Sequence, residues 1–188
     1  MIVTPIAHGL DLSISDLVRS PGAHASDVYN DYWARMDPDR YNHDGPPNTL
    51  LMAVGSAWEK HFEYLLLKNG ILASRPGELL SPEGIAYSPD LIIFNGHPRV
   101  GEIKFTSMST KDMPTEPTKT LPPKLDKYLD QMRLYAYWLE LTHGWLAIVF
   151  NYRPFAPELL CFNLEWTERE LRETHTRFMN HARHLGLI

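Results

Sequence analysis

The stretch Ser88-Pro89-Asp90-Leu91-Ile92-Ile93-Phe94-Asn95-Gly96-His97-Pro98-Arg99-Val100-Gly101-Glu102-Ile103-Lys104 sets two apolar runs on either side of a turn containing Asn, Gly and Pro. It reads as a β-hairpin, roughly Ile85 to Phe94 and Arg99 to Thr106. Successive side chains of a strand point to opposite faces, so Glu102 and Lys104 share one face and Ile103 takes the other. A loop with an odd number of residues, such as Asn95-Gly96-His97, sets Asp90 directly opposite Glu102 on that same face. An even loop separates the two carboxylates unless a bulge intervenes.

Working outward, the residues before the hairpin read as helices and a short strand. Ser13 to Arg19 carries capping residues and stops before Pro21-Gly22, and a second short helix covers Ser26 to Met36. Asp37 to Asn48 is a polar loop. Leu51, Val54, Trp58, Phe62 and Leu65 recur at three- and four-residue steps, which predicts a helix from Thr49 to Lys68 stopped by Asn69-Gly70. A strand over Ile71 to Ser74 precedes the Pro- and Gly-rich segment Arg75 to Gly84.

After the hairpin, Ser107 to Lys124 holds Pro114, Pro117, Pro122 and Pro123 with no periodicity, and reads as a long loop. A helix from Leu125 to Thr142 follows, with Leu125, Leu129, Met132, Tyr135, Ala136 and Leu139 as its buried stripe and His143-Gly144 as its stop. Trp145 to Arg153 and Glu158 to Leu164 read as strands. Thr167-Glu168-Arg169-Glu170 is a capping box opening an amphipathic helix to Leu185. No internal repeat is present. This order gives an α/β domain with a small mixed sheet flanked by helices, residues 1–188 forming one domain.

The 188 residues are long enough to bury a sizeable core, and 44% apolar content with five Trp fits a folded soluble protein. There is no apolar run of about 18 residues and no basic start followed by a long apolar stretch, so the expectation is a cytoplasmic protein with no membrane partner. A net charge of -5 argues against a generic polyanion-binding surface. It leaves room for an enzyme whose acidic ligands are offset by bound cations and whose phosphate contacts form a local rim. Cys161 is the single cysteine, which excludes an intrachain disulfide and a four-cysteine metal site; in an apolar run it reads as core filler.

Carboxylates beside an amine suit metal-assisted hydrolysis of a phosphodiester, which must stabilise a highly charged phosphorus and make a nucleophile from water. Mg²⁺ or Mn²⁺ takes oxygen ligands, so Asp90, Glu102 and the carbonyl of Ile103 are the candidate metal ligands. Lys104 is placed to orient or deprotonate the attacking water or to stabilise phosphate charge. The competing reading is a surface hairpin with an ordinary Glu102–Lys104 ion pair of little worth.

The region resembles the PD-(D/E)xK nuclease superfamily: Pro89-Asp90 matches the PD and Glu102-Ile103-Lys104 the ExK. Gln131-Met-Arg-Leu-Tyr135 resembles the QxxxY motif of the RecB-like and lambda-exonuclease-like branch. Gln131 and Tyr135 stand one helical turn apart, so their polar tips meet to face a nucleotide or to hold the ligand shell. Gly55-Ser-Ala-Trp-Glu59 resembles the helical motif that delivers a further metal ligand in that branch. Glu59 is the choice, with His61 and Glu63 as alternatives and a plain wet helix face as the competing reading.

Ser13 to Pro21 is similar to the first helix of RecB-type and CRISPR-associated adaptation nucleases, many of which carry an iron-sulfur cysteine before the proline. Ser20 stands there instead, so no iron-sulfur cluster is expected. The resemblance covers about Leu12 to Arg153 and implies a restriction-endonuclease-like core, leaving a C-terminal strand and helix over about 158–186.

The same resemblance implies a Mg²⁺- or Mn²⁺-dependent deoxyribonuclease acting on DNA in recombination, DNA repair or phage DNA processing. Asp90, Glu102, Lys104, Gln131 and Tyr135 would be catalytic, and Glu59, Asp90, Glu102 and Ile103 would hold the metal. The QxxxY motif favours an exonuclease, with a homo-oligomer or a processing partner protein supplying processivity. A structure-specific endonuclease or resolvase on the same core, and an inert nucleic-acid-binding or virion-assembly component, are the rivals. Arg19, Lys111, Lys119, Lys124 and Lys127 are candidate phosphate contacts, joined by Arg133 and Arg153 without a motif. His175, His181 and His184 on the last helix read as solvated rather than metal-bound.

Overall fold

A computed structural model of the chain describes residues 20–41, 49–106, 109–116, 118, 120–150 and 158–188. The helix expected from Ser13 to Arg19, and with it Arg19, Lys119 and Arg153, lies outside the described residues. The elements are α1 (Ala25–Met36), α2 (Pro38–Tyr41), α3 (Thr49–Lys68), β1 (Ala73–Ser74), β2 (Leu79–Leu80), β3 (Ala86–Tyr87), β4 (Leu91–Ile93), β5 (Arg99–Thr106), α4 (Asp126–Trp138), β6 (His143–Phe150), β7 (Glu158–Glu165) and α5 (Glu168–His184). Short 3₁₀ turns occupy Thr110–Asp112 and Pro123–Leu125. No described helix is long and apolar enough to cross a membrane.

A five-stranded mixed sheet in the order β1-β4-β5-β6-β7 is flanked by helices. Only β5 and β6 pair in parallel, because α4 makes the crossover that a parallel connection requires. Alternation along β5 divides the protein into two layers. Ile103, with Leu91, Ala147 and Val149, faces Phe62 and Trp58 of α3. Val100, with Leu146, Ile148 and Phe150, faces the larger core built from α1, α4 and α5. Glu102 and Lys104 share the parity of Val100 and therefore open toward α4.

The strand expected from Ile85 to Phe94 is two strands in different sheets. Pro89 has no N–H to give a ladder, so the chain breaks at Ser88-Pro89-Asp90. β3 pairs with β2 in a separate two-stranded sheet, and β4 pairs with β1 and β5. The helix α4 ends at Trp138 rather than Thr142. Glu140 turns left-handed at φ 55, and Leu141 N–H reaches back to the Ala136 carbonyl at 2.8 Å. His143-Gly144 thus begins β6 instead of closing a helix. The segments expected as loops hold α2, β2 and the two 3₁₀ turns.

Close approach explains two glycines on the central strands. A Cβ at Gly101 would stand 2.9 Å from Leu91 Cβ, and one at Gly144 would overlap the Trp166 ring and come within 3.1 Å of Met132 Cε. Replacing Gly144 by Val therefore forces the Trp166 ring to move. Urea unfolding of Gly144→Val is expected to show a loss of about 1–3 kcal/mol or more.

The capping box of α5 forms as expected, Glu170 N–H to Thr167 Oγ1 at 3.3 Å and Thr167 N–H to Glu170 Oε2 at 2.8 Å. The histidines of α5 are not solvated as a group. His175 pairs with Glu83 at 3.0 Å and stacks on Tyr137, and His181 pairs with Asp31 of α1 at 2.8 Å. His184 stays on the surface, 3.5 Å from Arg35. Arg133 is engaged with buried Asp130 at 3.0 Å, where Arg177 joins at 2.7 Å, so it belongs to the α4–α5 packing. Cys161 is not core filler: it lies on the exposed face of edge strand β7.

Candidate active site

β4 and β5 place the acidic pair. Leu91 stands opposite Gly101 and Ile93 opposite Arg99, with an odd number of residues, Phe94 to Pro98, between the strands. Carried one step further, that register sets Asp90 opposite Glu102 and on its face. Asp90 also substitutes for a ladder partner, since its Oδ2 accepts the Ile103 N–H at 2.7 Å. In an extended strand a residue's N–H and carbonyl point to the same edge, so the Ile103 carbonyl faces Asp90.

Glu102 is wholly buried. Its Oε1 takes the Lys104 ammonium and, at 3.4 Å, the amide of Gln131. Its Oε2 is buried with no hydrogen-bond partner among the described residues. Burial first and the Asp90 charge second push the Glu102 carboxyl up to about 8, against the pull of Lys104. Burial works against the charge of Lys104, but Glu102 and Asp90 outweigh it and hold the ammonium well above its ordinary value. The side chain of Lys104 is about a quarter exposed, with Nζ 4.9 Å from the centroid of the Tyr128 ring.

Gln131 and Tyr135 meet on α4 as one helical turn predicts. Gln131 Nε2 lies 3.2 Å from the Tyr135 hydroxyl as well as near Glu102. Tyr135 is buried, and burial followed by the Glu102 and Asp90 charges pushes its phenol upward, so it stays neutral. The hydrogen bonds thus join Tyr135 through Gln131 to the Glu102 carboxyl.

On the other side α3 presents its carboxylates. Burial and the Asp90 charge raise Glu59 to about 6, opposed by Arg75 and Lys104. Arg75 donates to Glu59 Oε2 at 2.7 Å. Glu63 accepts the backbone N–H of Arg75 at 3.1 Å, and His61 is exposed against Trp58. Glu59 is therefore the α3 side chain that shares the field of Asp90. Arg75 was invisible to sequence reasoning, because it lies in an irregular Pro- and Gly-rich segment and reaches α3 only through the tertiary fold.

Among the candidate phosphate contacts, Lys127 stands one turn before Gln131 on the same face of α4. It donates to Asn30 at 2.6 Å and lies 5.7 Å from the Tyr41 ring centroid. Burial and the Lys104 charge hold its amine below the ordinary value. Lys111 is exposed on the first 3₁₀ turn and Lys124 is half-buried on the second.

Among the described residues, no group of three or more His, Cys, Asp or Glu side chains is gathered closely enough to enclose a metal ion. The donor chemistry nonetheless fits a hard divalent cation. Asp90, the Ile103 carbonyl and Glu102 Oε2 are all oxygen donors carried by β5 and the residue before β4, and that buried Oε2 has no hydrogen-bond partner among the described residues.

No protein-family model matches the chain, and no curated protein does. Its fold is similar to that of solved structures of an alkaline exonuclease, LHK-Exo from Laribacter hongkongensis. The structure of that protein in complex with dAMP superposes with a TM-score of 0.54 at 16% identity, over 88% of each chain. A second structure of it gives 0.53, again at 16% identity and 88% coverage of each. At this identity the likeness is one of fold.

Proposed function

We propose that the chain is a Mg²⁺- or Mn²⁺-dependent deoxyribonuclease that degrades DNA from an end. The observation that carries this reading is the convergence of Asp90, Glu102 and Lys104 on one sheet face, with Gln131 of α4 holding Glu102. The fold likeness to an exonuclease crystallised with dAMP adds support for an end-directed activity. Recombination, repair or phage DNA processing is the setting, with a partner protein or a homo-oligomer supplying processivity.

Asp90, Glu102, the Ile103 carbonyl and Glu59 would hold the cation. When bound, it would polarise the phosphoryl oxygens and make the attacking water more acidic than bulk water, whose pKa is about 16. Lys104 remains an ammonium beside these carboxylates, so its work is to stabilise negative charge gathering on the phosphate and to orient the water. Gln131 fixes the rotamer of Glu102, and Tyr135 buttresses Gln131 from the core. Lys127 extends the cationic line along α4 toward a flanking phosphate, with Lys111, Lys124, Arg19 and Lys119 as further contacts.

The test compares linear and covalently closed duplex DNA in Mg²⁺, in Mn²⁺ and in chelator. Linear DNA is expected to be degraded progressively only with the cation, while closed circles persist. Equal cleavage of both forms would replace the exonuclease with an endonuclease on the same core. DNA binding without any cleavage in either cation would leave an inert binding protein.

A further inference from the structure

Arg75 sits where two elements of the site meet. β1 pairs with β4, Ser74 opposite Ile92, so the next residue, Arg75, falls level with Leu91 and beside Asp90. From there it contacts both carboxylates of one turn of α3, Glu59 through its guanidinium at 2.7 Å and Glu63 through its backbone N–H at 3.1 Å. The Arg75 and Glu59 side chains are only 28% and 23% exposed, which sets the pair apart from a freely solvated surface contact. A guanidinium keeps its charge at any working pH and bonds a carboxylate in a fixed direction.

We propose that Arg75 is the positioning residue of the α3 carboxylate. By holding Glu59 Oε2 it aims the other oxygen at a divalent cation shared with Asp90, and by engaging Glu63 it turns the rival carboxylate away. This inference rests on the metal-dependent reading above. It assigns a function to a residue that belongs to none of the motifs, and it makes the choice between Glu59 and Glu63 a property of the β1 exit rather than of α3 itself. Outer-shell partners that orient metal ligands typically change affinity by about 10–100-fold when removed.

Mn²⁺ binding by calorimetry to the full chain tests it, with thermal unfolding of each variant alongside. Arg75→Ala is expected to weaken Mn²⁺ by about tenfold or more, and Arg75→Lys, which keeps a charged donor, to retain most of the affinity. The double variant Arg75→Ala/Glu59→Ala is expected to bind no more weakly than Glu59→Ala, because Arg75 acts through Glu59. Unchanged or tighter binding by Arg75→Ala, the latter marking a competitor of the metal, overturns the proposal, and so do additive losses in the double variant. Should Arg75→Ala fail to fold, Arg75→Gln carries the same expectations. Asp90→Ala separates the two levels. If it binds Mn²⁺ like the wild type, the metal site itself is wrong and the role of Arg75 falls with it. If it abolishes binding while Arg75→Ala has no effect, only the role of Arg75 falls.

Discussion

Replacing Lys104 by Ala is expected to lower single-turnover DNA hydrolysis by about 10²–10³-fold while leaving DNA affinity within a small factor. The reason lies in where the ammonium stands. Glu102 and Asp90 hold it in the charged form, so it offers fixed positive charge to a phosphate that becomes more negative in the transition state. A contact of that kind acts on the rate more than on binding. Glu102 loses the ammonium beside it in the variant, and burial with the Asp90 charge then favours its protonated form still more strongly than in the wild type, which keeps the fold intact. Lys104→Ala that folds, binds DNA and hydrolyses it at the wild-type rate would remove Lys104 from the site. A loss confined to DNA affinity would make it a simple phosphate contact.

The second large effect concerns stability. Glu102→Gln is expected to remove activity and, in chelator, to make the protein more stable than wild type at alkaline pH. In the unfolded chain this carboxyl ionises near about 4.3, whereas burial and Asp90 keep it protonated in the folded protein up to about 8. Between those values the folded state binds the extra proton, so wild-type stability falls as pH rises. Gln does not titrate, and all other groups are common to the two proteins. Their difference in unfolding free energy should therefore be near zero at pH about 4 and grow to the order of 5 kcal/mol by pH about 8.5. Denaturant unfolding across that range measures it. A gap independent of pH would mean that Glu102 ionises normally, and with it the argument from its burial would fail. A divalent cation is expected to narrow the gap by stabilising the charged form of the wild type alone.

The parts of this structure that were legible beforehand are those with a repeating physical signature. The apolar stripes of α3, α4 and α5 have the helical period, and Thr167 with Glu170 marks one start to the residue. The condition that Asp90 and Glu102 share a face demanded an odd connection, which Phe94 to Pro98 supplies. β1 falls inside the strand expected over Ile71 to Ser74, but the two residues of β2 offer no period, and Pro89 hid a strand break that divides β3 from β4 inside an apolar run. The end of α4 was hidden for another reason. Glu140 takes a left-handed conformation that Gly or Asn ordinarily advertises, so nothing in the sequence announced the turn.

The side-chain partners were legible only where spacing within one element decides them. Gln131 and Tyr135 meet because four residues make one turn. Arg75 with Glu59, His181 with Asp31 and His175 with Glu83 join segments far apart in the chain, and helical spacing says nothing about such pairs. Spacing alone therefore points to solvated histidines on α5, although two of them connect segments far apart in the chain. Cys161 illustrates the same limit on a strand: the run Leu159 to Phe162 is apolar on both sides, and only the position of β7 at the sheet edge decides which face is wet.

Glu102 and Lys104 ride on β5, which has a strand at each edge and helices over both faces. Their backbone amides belong to the part of the molecule that opens only when the whole sheet opens. The two candidate groups are in that sense built into the keel of the fold rather than its rigging. In the proposed nuclease, adaptation to a DNA strand would fall to the 3₁₀ turns and the N-terminal end of α4 that carries Lys127, while Glu102 and Lys104 stay on a strand paired along both sides.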